Sequence, residues 1–256
     1  MILTDTHTHL YAEQFNDDID TVVANCINKG ISRLFLPNID ATSIESMLAL
    51  EKKHPNNCFA MMGLHPTSVK ENYKEELHLV EEWLTKRKFC AIGEIGIDLY
   101  WDKSTLPIQQ EAFRFQIELA KQYNLPFVIH CRDAFDEIFE IMDELNDAKM
   151  RGIFHCFTGT IEQANHIINY GDFKIGIGGV VTFKNSGLDK VVEQIDLAHL
   201  VLETDSPYLA PTPFRGKRNE STYLYNIAEK VAELKQVSVE EVANITTKNS
   251  IEVFGF

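Results

Sequence analysis

The chain has 256 residues, with 24 Lys and Arg against 38 Asp and Glu, for a formal net charge of −14. Forty-five per cent hydrophobic and 24% charged residues describe an ordinary globular composition and exclude disordered, collagen-like and fibrous classes. No apolar run approaches the ~20 residues of a membrane-spanning helix, no basic-then-apolar leader opens the chain, and the acidic balance argues against charge-driven adhesion to long duplex DNA or anionic membranes. Five cysteines without CxxC spacing read as free thiols of a cytoplasmic protein. No obligate protein partner is evident.

In chain order, short apolar runs fall at 1–5, 33–37, 58–63, 90–93, 126–130, 152–155, 173–178 and 200–202. Each is strand-length and bounded by Gly, Pro, Asp or Asn. Amphipathic stretches lie between them. Pro107 announces a helix through Phe113, Ile117 and Ala120 that ends before Pro126. Ala134, Ile138, Ile141, Met142 and Leu145 share one helical face, and residues 239–254 read as a closing helix. Eight strand–helix units in 256 residues leave room for a crossover each time. The expectation is an α/β fold: a single domain over 1–256, a (β/α)₈ TIM barrel with one extra C-terminal helix.

What ends each run carries the chemistry. His7 and His9 follow the first, His65 the third, Glu94 the fourth, His130 the fifth, His155 the sixth, and Glu203 and Asp205 the eighth. The carboxyl ends of barrel strands form one rim, where active sites are built. Side chains two apart on a strand share a face, so His7 pairs with His9 and Glu203 with Asp205. A lone His-x-His pair is most often exposed or hydrogen-bonded. Burying this many ionisable groups together is costly unless they coordinate something. Imidazole and carboxylate donors suit Zn²⁺, Mn²⁺, Mg²⁺ or similar ions, and the lack of cysteine argues against a closed structural zinc site.

Other polar residues are read more blandly. His54, His78, His166 and His199 fall in helical or loop patterns and are expected at the surface. Cys131 and Cys156 are expected to alternate away from the site, and Trp83 to pack a helix. Trp101, in the fourth strand–helix loop, is read equally as solvent-facing or substrate-facing. The glycines around Gly176 do not form a nucleotide fingerprint and suggest close backbone approach. Arg132, Lys184, Arg215, Lys217 and Arg218 lie in rim loops. Arg132, Arg215 and Arg218 are candidate phosphate contacts, the last two preceding the eighth helix, while Lys103 and Lys217 read equally as solvated charges.

The motifs THTHL at 6–10, GLHP at 63–66, GEIGID at 93–98, HCRDA at 130–134, FHCFTG at 154–159, ETDSPYLAP at 203–211 and FRGKRNES at 214–221 resemble those of the TatD family of metal-dependent deoxyribonucleases. The resemblance spans nearly the whole chain in order. It implies an amidohydrolase-like barrel with two divalent metal ions per chain: His7, His9 and Asp205 on one, His130 and His155 on the other, Glu94 bridging. His65 or Glu203 would serve a further metal position or a phosphate contact. The implied reaction is hydrolysis of DNA or short oligonucleotides by a two-metal activated water, with Glu94 and Asp205 catalytic and Asp205 as base. Competing expectations are a C–N, lactone or phosphotriester hydrolase on the same ligands, and a metal-binding scaffold without activity.

Overall fold

The computed structural model describes residues 1–256. Strand and helix alternate throughout: β1 (Leu3–Asp5), α1 (Ile19–Asn28), β2 (Ile31–Leu36), α2 (Ile44–Lys53), β3 (Cys58–Ala60), α3 (Tyr73–Lys86), β4 (Ile92–Asp98), α4 (Leu106–Tyr123), β5 (Phe127–Arg132), α5 (Phe135–Leu145), β6 (Gly152–Phe154), α6 (Ile161–Asn169), β7 (Phe173–Ile177), α7 (Leu188–Gln194), β8 (Leu200–Leu202), α8 (Leu224–Lys235) and α9 (Val239–Phe254). All neighbouring strands are parallel, in runs β1-β2-β3 and β4-β5-β6-β7-β8.

Two seams join these runs into a ring. Between β3 and β4, Met62 donates to the Ala91 carbonyl at 3.1 Å and Gly93 to Met62 at 3.0 Å. Between β8 and β1, the Thr6 amide donates to Leu202 at 3.1 Å and the Asp205 amide to His7 at 2.9 Å. The result is a (β/α)₈ TIM barrel, with α9 added beyond the eighth unit. No helix is long and apolar enough to cross a membrane.

The core has two parts. The larger lies where strands meet the surrounding helices. The smaller gathers Phe35, Val128, Ile153 and Val201 with Val253 and Phe254 of α9. Phe254 stacks on Phe35 with ring centroids 3.9 Å apart. The two-residue alternation of strands then sets what lies above this layer. His130 stands two residues past Val128, His155 two past Ile153, and Glu203 and Asp205 two and four past Val201. One inward face is apolar at the amino end and polar at the carboxyl end.

The sequence placed α9 and the helix around Ile138 correctly but stopped the fourth strand at 93. In the structure β4 continues to Asp98, because residues 95–98 pair with Ile129–Arg132 of β5. A register shift between Ile92 and Ile95 interrupts the simple alternation just where Glu94 enters the barrel.

Candidate metal centre

Glu94, 2% exposed, lies among the histidines and offers one carboxylate oxygen to each of two groups. Its Oε2 is 3.1 Å from His7 Nε2 and 3.7 Å from His9 Nε2. Asp205 Oδ1 completes that group, 3.8 Å from His7 Nε2 and 3.5 Å from His9 Nε2, while the two Nε2 atoms are 3.3 Å apart. Glu94 Oε1 faces the other way, 2.8 Å from both His130 Nδ1 and His155 Nε2 and 3.4 Å from His65 Nε2. Donors at ~2.0–2.2 Å around a tetrahedral ion stand about 3.4 Å from one another. The first group spans 3.1–3.8 Å, so its donors suit a divalent ion without large movement.

Tautomers separate two of these rings. The Tyr11 hydroxyl gives its proton to the Pro37 carbonyl, so at 2.9 Å from His9 Nδ1 it can only accept from that ring. His9 therefore carries its proton on Nδ1 and turns the Nε2 lone pair into the cluster. His65 is the reverse. The Thr67 amide donates to His65 Nδ1 at 3.1 Å, which leaves the neutral ring's proton on Nε2, facing Glu94. His9 is set up as a ligand, His65 as a hydrogen-bond donor.

Carboxylates outside the cluster stand beside the far nitrogens of His130 and His155, a recurring feature of metal-binding histidines. Asp98 Oδ2 is 2.9 Å from His130 Nε2. Glu203, fully buried, lies 3.3 Å from His155 Nδ1 and accepts from the Cys156 amide. Its carboxylate fills the space where a Cβ on residue 176 of β7 would stand, which is why that position is glycine. Beyond β8, the Asn219 side chain donates to the Thr204 and Tyr208 carbonyls at 2.7 and 2.6 Å. It clamps the turn carrying Asp205, whose φ of 55° takes the chain off the strand direction as the following Ser206-Pro207 led one to expect.

The titration behaviour follows from this crowding. Burial alone would raise the Glu94 carboxyl, but His155, His65, His7 and His130 hold it well below the usual carboxylate range. Burial would lower His155, yet Glu94 and Glu203 raise it well above an ordinary histidine. His130 is raised likewise, against burial, by Asp98 and Glu94. For His7, burial and the neighbouring His155 lower it. Asp205 is held low, against its burial, by the histidines gathered around it.

Glu94, His9, His65, His130, His155 and Asp205 line a cleft of about 680 Å³ that also takes in Arg132, Trp101 and Tyr208. Of the three arginines proposed from sequence, only Arg132 reaches it. Arg215 lies over the Phe183 ring at 3.8 Å and lines a separate recess with Lys184. Arg218 is held by Asp18 at 2.8 and 2.7 Å, by Glu220 at 3.1 Å and by the Gln14 carbonyl at 2.8 Å, so its guanidinium is already spent within the fold. Lys217 and Lys103 are exposed. Cys131 and Cys156, expected to face away, both border the cleft. At Cys156 a φ of 47° breaks the strand alternation that the expectation assumed. Burial pushes both thiols up, which keeps them protonated. Among the remaining histidines, His78 is exposed, His166 pairs with Asp143 at 2.8 Å, and His54 is half-buried with Nε2 3.8 Å from Asp20. Trp83 packs half-buried on α3.

Residues 4–255 match the family of TatD related DNases. This chain belongs to the TatD family. A metal-dependent hydrolase of Bacillus subtilis, YabD, whose own activity is uncharacterized, is 41% identical over 99% of both chains. Escherichia coli YcfH, described in the same words, is 33% identical over 99% of this chain and 96% of its own. The crystal structure of YjjV, a TatD homologue from E. coli K12, superposes with a TM-score of 0.93 at 28% identity, covering 99% of this chain and 98% of that one. The TatD-family protein described here is thus a metal-dependent hydrolase on a TIM barrel, and its overlapping His and Glu clusters are where such a hydrolase would hold divalent metal.

Proposed function

We propose that this TatD-family hydrolase cleaves phosphodiester bonds of DNA, as single strands or short oligonucleotides, at a centre of two divalent ions. The observation that carries the reading is the divided Glu94 carboxylate, with one oxygen toward His7, His9 and Asp205 and the other toward His130 and His155. His7, His9 and Asp205 would hold one ion, His130 and His155 the other, and Glu94 both. When bound, ions so placed lower the pKa of a water and screen charge on a phosphoryl group.

The chain's own residues supply the rest. Asp205, kept ionised, accepts the proton of the attacking water. Asp98 and Glu203 keep His130 and His155 turned toward Glu94. His65 offers an N–H, and Arg132 a guanidinium, to non-bridging oxygens whose charge grows in the transition state. Family membership supports the phosphodiester substrate, and the cleft's single free arginine suits a short stretch of backbone better than a long duplex.

The test is elemental analysis of purified protein, followed by turnover on a panel of oligonucleotide, dihydropyrimidine, N-acetyl sugar and lactone before and after chelation. About two divalent ions per chain and chelator-sensitive cleavage of the oligonucleotide are expected. A folded, active protein without metal, or turnover confined to the neutral substrates, would overturn the reading.

A further inference from the structure

Trp101 is 72% exposed, although an indole normally buries most of its large apolar surface. It stands on the loop after β4 and borders the cleft above the metal-ligand candidates. Its neighbour Tyr100 is 53% exposed and meets it edge to face at 4.9 Å. Arg132, from the end of β5, lays its guanidinium 3.7 Å from the Tyr100 ring centre and 5.6 Å from that of Trp101. Arg132 thus covers Tyr100 and leaves the indole open. Tyr208 and Leu209 are also exposed and also border the cleft. Three of the ten exposed large apolar side chains of the molecule border this one opening, and a fourth, Tyr100, touches Trp101.

The loop is not free to swing. Asp98 Oδ1 accepts the Tyr100 amide at 3.0 Å and the Trp101 amide at 3.4 Å, while Oδ2 holds His130. One carboxylate therefore ties a metal-ligand candidate to the backbone that carries the aromatic pair.

Resting on the phosphodiesterase reading, we propose that Trp101, flanked by Tyr100 and Arg132, is a stacking site for one unpaired nucleobase next to the phosphate held over Glu94 and Asp205. A flat apolar face beside a lone cation matches a base attached to a phosphate, and it matches no neutral ester equally. In a duplex both faces of a base are already stacked, so only a single strand or a frayed end can use the site without unstacking. Stacking also accepts any base, which gives affinity without calling on an extended basic surface in a chain of net charge −14.

The experiment uses metal-loaded protein and a short single-stranded oligonucleotide, with an abasic residue introduced at each position in turn. Dissociation constants are read in the Asp205→Asn background and cleavage in the otherwise unchanged protein. Removing the stacked base should weaken binding to the parent by roughly 5- to 150-fold, the range for one aromatic–base contact. In Trp101→Ala the same removal should cost little, and Trp101→Phe should recover most of the difference. Equal penalties for base removal in Trp101→Ala and in the parent would overturn the stacking site while leaving the phosphodiesterase intact. Base-dependent binding without cleavage would overturn the proposed reaction and leave the stacking site standing. Neither binding nor cleavage of any oligonucleotide by the metal-loaded, otherwise unchanged protein would overturn both.

Discussion

Asp205 and His65 face the same carboxylate from opposite sides, and their hydrogen bonding assigns them different work. Asp205 is ionised among three histidines and can take a proton. Asp205→Asn keeps its shape and one oxygen donor, so the variant should fold and retain at least one ion while turnover falls by roughly 10²–10⁴. Near wild-type turnover with metal confirmed would remove it as base. His65, with Nδ1 engaged by Thr67, has only an N–H to present. His65→Ala should keep the full ion content and lose turnover on the order of 10²–10³, the usual cost of one transition-state donor. Loss of an ion would instead show that the ring flips and ligates. Both residues were visible in the sequence because each lies within three residues of the end of an apolar strand run. Asp98 was not singled out, since the fourth apolar run reads as ending at 93 whereas β4 continues to Asp98. Arg218 misled for a related reason: the Asp18 that occupies it lies 200 positions away, and nothing local announces that pairing.

Along β1 and into the turn after β8, a second carboxylate governs how the elements meet. Asp5 is fully buried and accepts the Thr204 amide at 2.9 Å and the Thr204 hydroxyl at 2.6 Å. Burial pushes its pKa up to about 7, although hydrogen bonds from Ser221 and Thr204 oppose the shift. An unfolded aspartate titrates near 3.9, so the native state binds this proton more tightly. The stability it contributes is full below about pH 4 and is lost as pH rises through about 7. Asn at position 5 has no proton to lose. In metal-free protein, unfolding free energies from denaturant titrations should therefore shift in favour of Asp5→Asn by about 2–3 kcal/mol between pH 5 and pH 8, whatever constant offset the amide introduces. A pH-independent difference would show that Asp5 stays ionised in the fold. Strand and helix spans were largely readable from periodicity, as α9 shows; this inter-element carboxylate was not, because its partner Thr204 is 199 residues distant.

For the molecule as a whole, the seam between β1 and β8 matters most. Thr6, His9 and Asp205 donate the amides that close it, to Leu202, Ser206 and His7, and the same short segments present His7, His9 and Asp205 to the cluster. An ion held by those three side chains would fasten the first strand of the ring to the last, as a clasp fastens a bracelet, and would set how often the barrel springs open. Hydrogen exchange reads such opening amide by amide. Chelation should raise the exchange rates of Thr6, His9 and Asp205 ahead of the amides inside the β4–β8 run, and restoring metal should slow them again. A uniform change across all strands would mean that the clasp adds only global stability. The selective outcome would make loss of metal a mechanical event, in which the ring parts at one known place.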